Sequence, residues 1–126
     1  MKKIQISTDQ APKAIGPYAQ GIAFGDLIFT SGQLPINPES GELEQGTIEE
    51  ATHRTVANLQ AVLAEAGSDI SKILKATVYL ADLSNFAAMN AVYNEYFGTT
   101  PPARTCFEVA ALPLGAIIEI EAIAHK

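Results

Sequence analysis

A chain of 126 residues, 48% hydrophobic and 17% charged, reads as one globular domain over 1–126 that buries ~65% of its unfolded surface, and not as a disordered or fibrous segment. Its net charge of −6, with no basic run beyond Lys2-Lys3, argues against nucleic acid as a partner, because phosphate binding needs a basic patch to replace counterions. No apolar run approaches the ~20 residues of a membrane span, no apolar leader follows Lys2-Lys3, and the single cysteine forms no internal disulfide, so the expected location is the cytoplasm.

In chain order, the first segment is KIQIS (3–7), which alternates as a strand with Ile4 and Ile6 on one face. In KAIGPY, Gly16 permits a bend and Pro17 fixes φ, so that Tyr18 is presented at the exit of a turn. Residues 21–24 and 27–31 read as two strands joined by the two-residue hairpin signal Gly25-Asp26. Gly32 ends the alternation, and NPESGELEQG (37–46) carries the composition of a loop.

The first helix is announced by Thr47 as N-cap with Glu50 completing a capping box. Ile48, Ala51, Thr55, Leu59, Val62, Leu63 and Ala66 share one face, Glu50 and Arg54 are spaced as a pair on the other, and Gly67 ends the helix. ILKATVYL (73–80) is a strand with Leu74, Ala76, Val78 and Leu80 expected on the core face. A second helix runs from Ser84 as N-cap to Gly98, with Phe86, Met89, Asn90, Tyr93 and Phe97 as its stripe. Two more strands follow, at about 104–110 and 117–124.

This order is an α+β plan of five or six strands in one sheet, with both helices on a single face. The opposite face would show Ile73, Lys75, Thr77 and Tyr79 beside Ile117, Glu119, Glu121 and Ile123. Half apolar and half charged, that surface suits burial between subunits with a polar pocket at the seam.

Chemistry concentrates in PPARTCFEV (101–109). Side chains alternate along a strand, so Arg104 and Cys106 share a face. The arginine fork matches a carboxylate in bidentate fashion, and a charge-assisted bond contributes roughly 1.5–3 kcal/mol, enough to position a small acid. A salt bridge to Glu108 or Glu119 is the alternative. Cys106 lacks the neighbouring base that a thiolate nucleophile needs, so it reads as a pocket-lining or buried residue. Glu119 lies between isoleucines in AIIEIEAIA, where desolvation raises a carboxyl pKa toward the range of proton handling; an exposed strand face shared with Glu121 is the plainer reading. Asn90 reads as a hydrogen-bonded polar core residue, and Tyr18 as a pocket wall or a turn anchor. His53, His125 and Cys106 show no metal-ligand spacing, and neither a Gly-rich phosphate loop nor a nucleophile elbow is present.

APKAIGPYAQG (11–21), TSGQLPINPESGE (30–42), ATVYLADLSNFAAMNAVY (76–93) and PPARTCFEVAALPLGAIIEIEAIA (101–124) together resemble the Rid, or YjgF-type, family of reactive-intermediate deaminases. The Arg-x-Cys element followed by Ile-Glu-Ile-Glu is most similar to its enamine/imine-deaminating branch. The resemblance implies a chorismate-mutase-like fold: a mixed sheet of about six strands with two helices on one face, assembled as a homotrimer around a central β-barrel. It implies clefts between subunits that hydrolyse 2-imino acids, 2-iminopropanoate and 2-iminobutanoate, to 2-oxo acids and ammonium without metal or organic cofactor. Arg104 would hold the substrate carboxylate, with the Thr105 backbone helping to frame it. Glu119 would direct the attacking water and return a proton to the departing amine; Tyr18 and the Gly32 backbone would close a pocket lined by Cys106.

The chain departs from the family pattern in AALPLGA, where Ala111, Leu114 and Gly115 stand in place of two cations and an acid. These three are expected on a surface loop clear of the pocket, and Phe107 is expected to affect core packing. The competing functions are a non-catalytic module binding a 2-oxo acid or amino acid, which Glu119 would distinguish, and a ribonuclease or translation inhibitor, which the acidic balance disfavours.

Overall fold

The computed structural model describes residues 1–126. Its strands are β1 (Lys3–Ile6), β2 (Gly21–Phe24), β3 (Leu27–Thr30), β4 (Ile73–Leu80), β5 (Ala103–Glu108) and β6 (Ile118–His125), and its helices are α1 (Ile48–Glu65) and α2 (Phe86–Phe97). The strands form one mixed sheet in the order β1-β2-β3-β6-β4-β5. Every pairing is antiparallel except β4 with β5, which run parallel because α2 carries the chain across between them.

Both helices lie on one face of the sheet, as the pattern of apolar residues demands. Val56, Leu59, Val62 and Leu63 of α1 are fully buried against Ile28, Val78, Leu80, Ile118 and Ile120 of the strands. Each such side chain contributes about 1.5–3 kcal/mol by leaving water. Met89, Tyr93 and Phe97 of α2 complete the same core. No helix is long and apolar enough to cross a membrane.

Local chemistry explains the element ends. The Thr47 hydroxyl accepts the Glu50 N–H at 3.0 Å, while the Glu50 carboxylate accepts the Gly46 N–H at 3.1 Å, so the capping box closes one residue further out than expected. Gly67 adopts φ +82 beyond the last turn, a conformation that strains any side chain. Arg54 turns away from Glu50 and donates to Asn58 Oδ1 at 3.0 Å. The second helix begins differently from the sequence reading. Ser84 is not the cap: the Asp82 carboxylate accepts the Ser84 N–H at 2.9 Å and caps a single 3-10 turn, Leu83–Asn85, that leads into α2, whose own N-cap is Asn85 without a side-chain cap bond. Ser84 lies inside that turn and is therefore not placed to cap the helix.

One face assignment is corrected. Ile73, expected on the open face, is buried, and Leu74, expected in the core, is 48% exposed. A register shift between Ile73 and Lys75 against β6 inserts an extra residue, which inverts the alternation before it but not after. From Lys75 onward the expected faces hold: Ala76, Val78 and Leu80 are buried, and Lys75, Thr77 and Tyr79 are half-buried on the other side. That open side also carries Phe24, Leu27, Phe29 and Phe107, each 40–43% exposed. Phe107 therefore stands outside the core, edge-on to the Tyr79 ring at 5.3 Å.

Candidate active site in two halves

The first half is built on β5, the strand at one end of the sheet. Arg104 is in register with Ala76, and Cys106 with Val78, so both side chains point toward the helices. Arg104 Nη1 donates to Asn90 Oδ1 at 2.7 Å. Its guanidinium lies 4.7 Å above the Tyr93 ring and 5.6 Å from that of Phe86. Three residues of one helix face thus hold the arginine, each cation–π contact contributing ~0.5–2 kcal/mol. Neither Glu108 nor Glu119 hydrogen-bonds to it; Glu108 instead accepts the Leu83 N–H at 2.8 Å. The rest of the fork faces an open groove of about 610 Å³ that Arg104 lines with Asn90, Tyr93, Pro101 and Pro102. The Tyr93 hydroxyl is buried there without a partner in the chain.

Burial pushes the Cys106 thiol up, and the pull of the Arg104 charge does not reverse it. The thiol stays protonated at neutral pH, which does not suit a nucleophile; Cys106 is half-buried against the core and is not among the residues lining the Arg104 groove. Thr105 faces the opposite way, accepting from Lys75 Nζ at 2.9 Å, so only its backbone shares the Arg104 side.

The second half centres on Glu119. Ile118 and Ile120 are buried, so Glu119 between them stands on the open face, in register with Tyr79. Beside it the β3 chain bulges. Phe29 is in register with Ile123, and Gln33 bridges Ile120, so four residue steps on one side match three on the other. Gly32 lies in this bulge, and a Cβ there would sit 2.6 Å from Glu119 Cδ. Only glycine lets the carboxylate lie against the backbone. Burial, then the neighbouring Glu121 charge, raise the Glu119 pKa. Glu121 itself is engaged by the Tyr79 hydroxyl at 2.8 Å, which pushes the phenol up to about 12. Glu119 receives no hydrogen bond from any side chain of this protein.

Tyr18 is held by a turn, its N–H donating to Gly16 O at 2.8 Å and its hydroxyl accepting the Ile15 N–H at 3.3 Å. With Gly32 it lines a cavity of about 380 Å³ whose further walls include Ile15, Leu34, Ile36 and Leu114. Leu114 was expected clear of the pocket; a left-handed backbone, φ 61, swings it into the cavity wall.

The structure thus joins Gly32 to Glu119, Tyr18 to Gly32, and Arg104 to Cys106. It does not join Arg104 to Glu119, which lie on opposite faces of the sheet. Asn90, read as a core residue, is Arg104's partner, and Phe86 and Tyr93 were legible as its neighbours on one helical stripe. No three His, Cys, Asp or Glu side chains converge as a metal site.

A six-stranded mixed sheet with two helices on one face, carrying an arginine without a carboxylate partner and a half-buried glutamate on opposite sides, defines an α+β domain. Residues 8–126 match the Endoribonuclease L-PSP family model, and the chain belongs to that family, the Rid or YjgF-type group. It is 52% identical to a RutC family protein of Pyrococcus abyssi over 100% of this chain and 99% of that one. It is 47% identical to a goat (Capra hircus) protein named 2-iminobutanoate/2-iminopropanoate deaminase, over 94% of this chain and 87% of that one. The crystal structure of E. coli TdcF with bound serine superposes with a TM-score of 0.93 at 40% identity, covering 98% of each chain.

Proposed function

We propose that the protein hydrolyses 2-imino acids, 2-iminopropanoate and 2-iminobutanoate among them, to 2-oxo acids and ammonium, in clefts where the Arg104 half of one copy meets the Glu119 half of another. The observation that carries this reading is the pair of incomplete halves: an arginine without a carboxylate partner, and a half-buried carboxylate without a donor. The apolar open face, with Phe24, Leu27 and Phe29 standing in solvent, supports assembly around that face, and a homotrimer closing a central barrel is the form proposed. The goat relative named as a deaminase supports the reaction class.

In this reading the Arg104 fork grips the substrate carboxylate, held in plane by Asn90 and Tyr93. Glu119, ionised but with a raised pKa, takes a proton from water as the oxygen attacks C2 of the imine. Glu119 returns that proton to nitrogen, giving the neutral carbinolamine; it then takes the hydroxyl proton as C2–O becomes a carbonyl and delivers it to the nitrogen as the C2–N bond breaks, so that ammonia leaves and Glu119 ends ionised. Such acid–base help contributes ~10²–10⁴-fold. The test generates 2-aminoacrylate from serine with a pyridoxal-phosphate dehydratase and follows imine loss by semicarbazide trapping. Wild type accelerates the loss, whereas Arg104→Ala and Glu119→Ala, folded and assembled, do not.

A second reading, a non-catalytic amino acid or 2-oxo acid sensor, draws on the serine bound to TdcF. It predicts no turnover by wild type and ligand affinity that survives Glu119→Ala. Ribonuclease activity has less support, since a chain of net charge −6 lacks the counter-charge that RNA needs.

A further inference from the structure

Leu114 breaks two rules at once. It holds a left-handed backbone, φ 61 and ψ 15, which a branched side chain adopts only under strain, and its side chain is 61% exposed. Neither core packing nor solubility accounts for it. The loop is nevertheless fixed: Gln45 Nε2 donates to Gly115 O at 3.1 Å, and Gln45 Oε1 accepts the Ile117 N–H at 3.0 Å. Pro113 enters the turn with its own φ set. The fold thus holds an exposed leucine in a costly conformation at the edge of the cavity that Tyr18 and Gly32 also line.

That cavity, about 380 Å³, falls within the ~300–1,000 Å³ of small-molecule sites and far exceeds a methyl or ethyl group. Ile15, Leu34, Ile36 and Leu114 give it an apolar portion beside the polar Lys13, Asn37 and Glu39, and Gly32, which lies against Glu119, is part of its wall. Gly32 is the one residue that both lines this cavity and lies against the Glu119 carboxylate, so the cavity begins beside the place proposed for the substrate's C2.

Resting on the deaminase reading above, we infer that the cavity is the side-chain subsite and that Leu114 sets its preference toward imines with branched or longer apolar side chains. An imine from leucine would fill the space between Leu34 and Leu114, removing apolar surface from water that a methyl group leaves wet. A residue of this kind acts through contact with the substrate's side chain and leaves the reacting atoms alone.

The test compares kcat/KM for two imines made in situ, one from leucine with an L-amino acid oxidase plus catalase, the other from serine with a dehydratase. Wild type favours the leucine-derived imine. Leu114→Gly tolerates the left-handed backbone and removes only the side chain; it lowers the ratio of the two kcat/KM values about ten-fold, as expected for lost apolar contacts. Leu114→Lys, which puts a charge at the same wall, lowers it further. A ratio that stays within about two-fold of wild type in both variants, while imines are still turned over, overturns the inference alone. If wild type turns over neither imine, the deaminase reading falls and this inference with it.

Discussion

Gly32 is the residue on which the proposed catalytic half of the site turns. Its missing side chain is the space the Glu119 carboxylate occupies, so Gly32→Ala drives the carboxylate out of its place. The clash is with the far end of a flexible side chain, so the variant folds with little loss in melting temperature, while kcat falls by at least ten-fold, in the range of lost acid–base help. Arg104 depends on shape as well as charge. Arg104→Lys keeps the cation but loses the bidentate fork and the stacking on Tyr93, and a loss of roughly 1.5–3 kcal/mol raises KM about ten- to a hundred-fold. The raised pKa of Glu119 makes a stability prediction with a definite sign. A carboxyl whose folded pKa lies above its unfolded value, about 4.3, contributes stability below that pH and loses it as pH rises through the folded pKa. Glu119→Gln is therefore more thermostable than wild type at pH 7, and the two converge below about pH 4, in parallel melts at both pH values.

At the scale of elements, the site is placed by a few fastenings between α1 and the loops. Asn58, fully buried, donates to Leu34 O at 3.0 Å and to Ile36 O at 2.8 Å, and so holds the wall of the Tyr18 cavity against the helix. Asn58→Ala strands two carbonyls and costs on the order of 2–4 kcal/mol, read as a shift of the urea midpoint. What could be read from sequence follows the same division. Periodicity placed both helices and all six strands within a residue or two, because burial of one face dictates spacing. The faces of the 73–80 strand went wrong only at Ile73 and Leu74, because a bulge adds a residue without leaving a local trace. Alternation also showed that Arg104 and Cys106 share a face, but not that Glu119 lies on the other one. The relative facing of two strands depends on pairing register, and that is a property of the sheet, not of either strand. Leu114 was legible as a departure from the family pattern, but not its place at the cavity wall, because a left-handed leucine carries no sequence signal.

For the whole molecule, the central claim is that one chain carries two halves of a site that only assembly completes. Sheet topology supports this: Arg104 is on the helix side of an end strand, and Glu119 is on the open side of an interior one. Apolar side chains on that open side then have a use, since a neighbouring copy would cover them. The most direct measurement mixes two inactive variants. Arg104→Ala and Glu119→Ala proteins are partly unfolded together, refolded as a 1:1 mixture, and assayed for imine hydrolysis alongside each variant alone. With sites shared between copies, random assembly pairs an intact Arg104 with an intact Glu119 in some clefts, and activity returns to about a quarter of wild type. If mixed assemblies form and no activity returns while the refolded wild type is active, Arg104 and Glu119 do not act across a subunit boundary, and the two-half site is wrong.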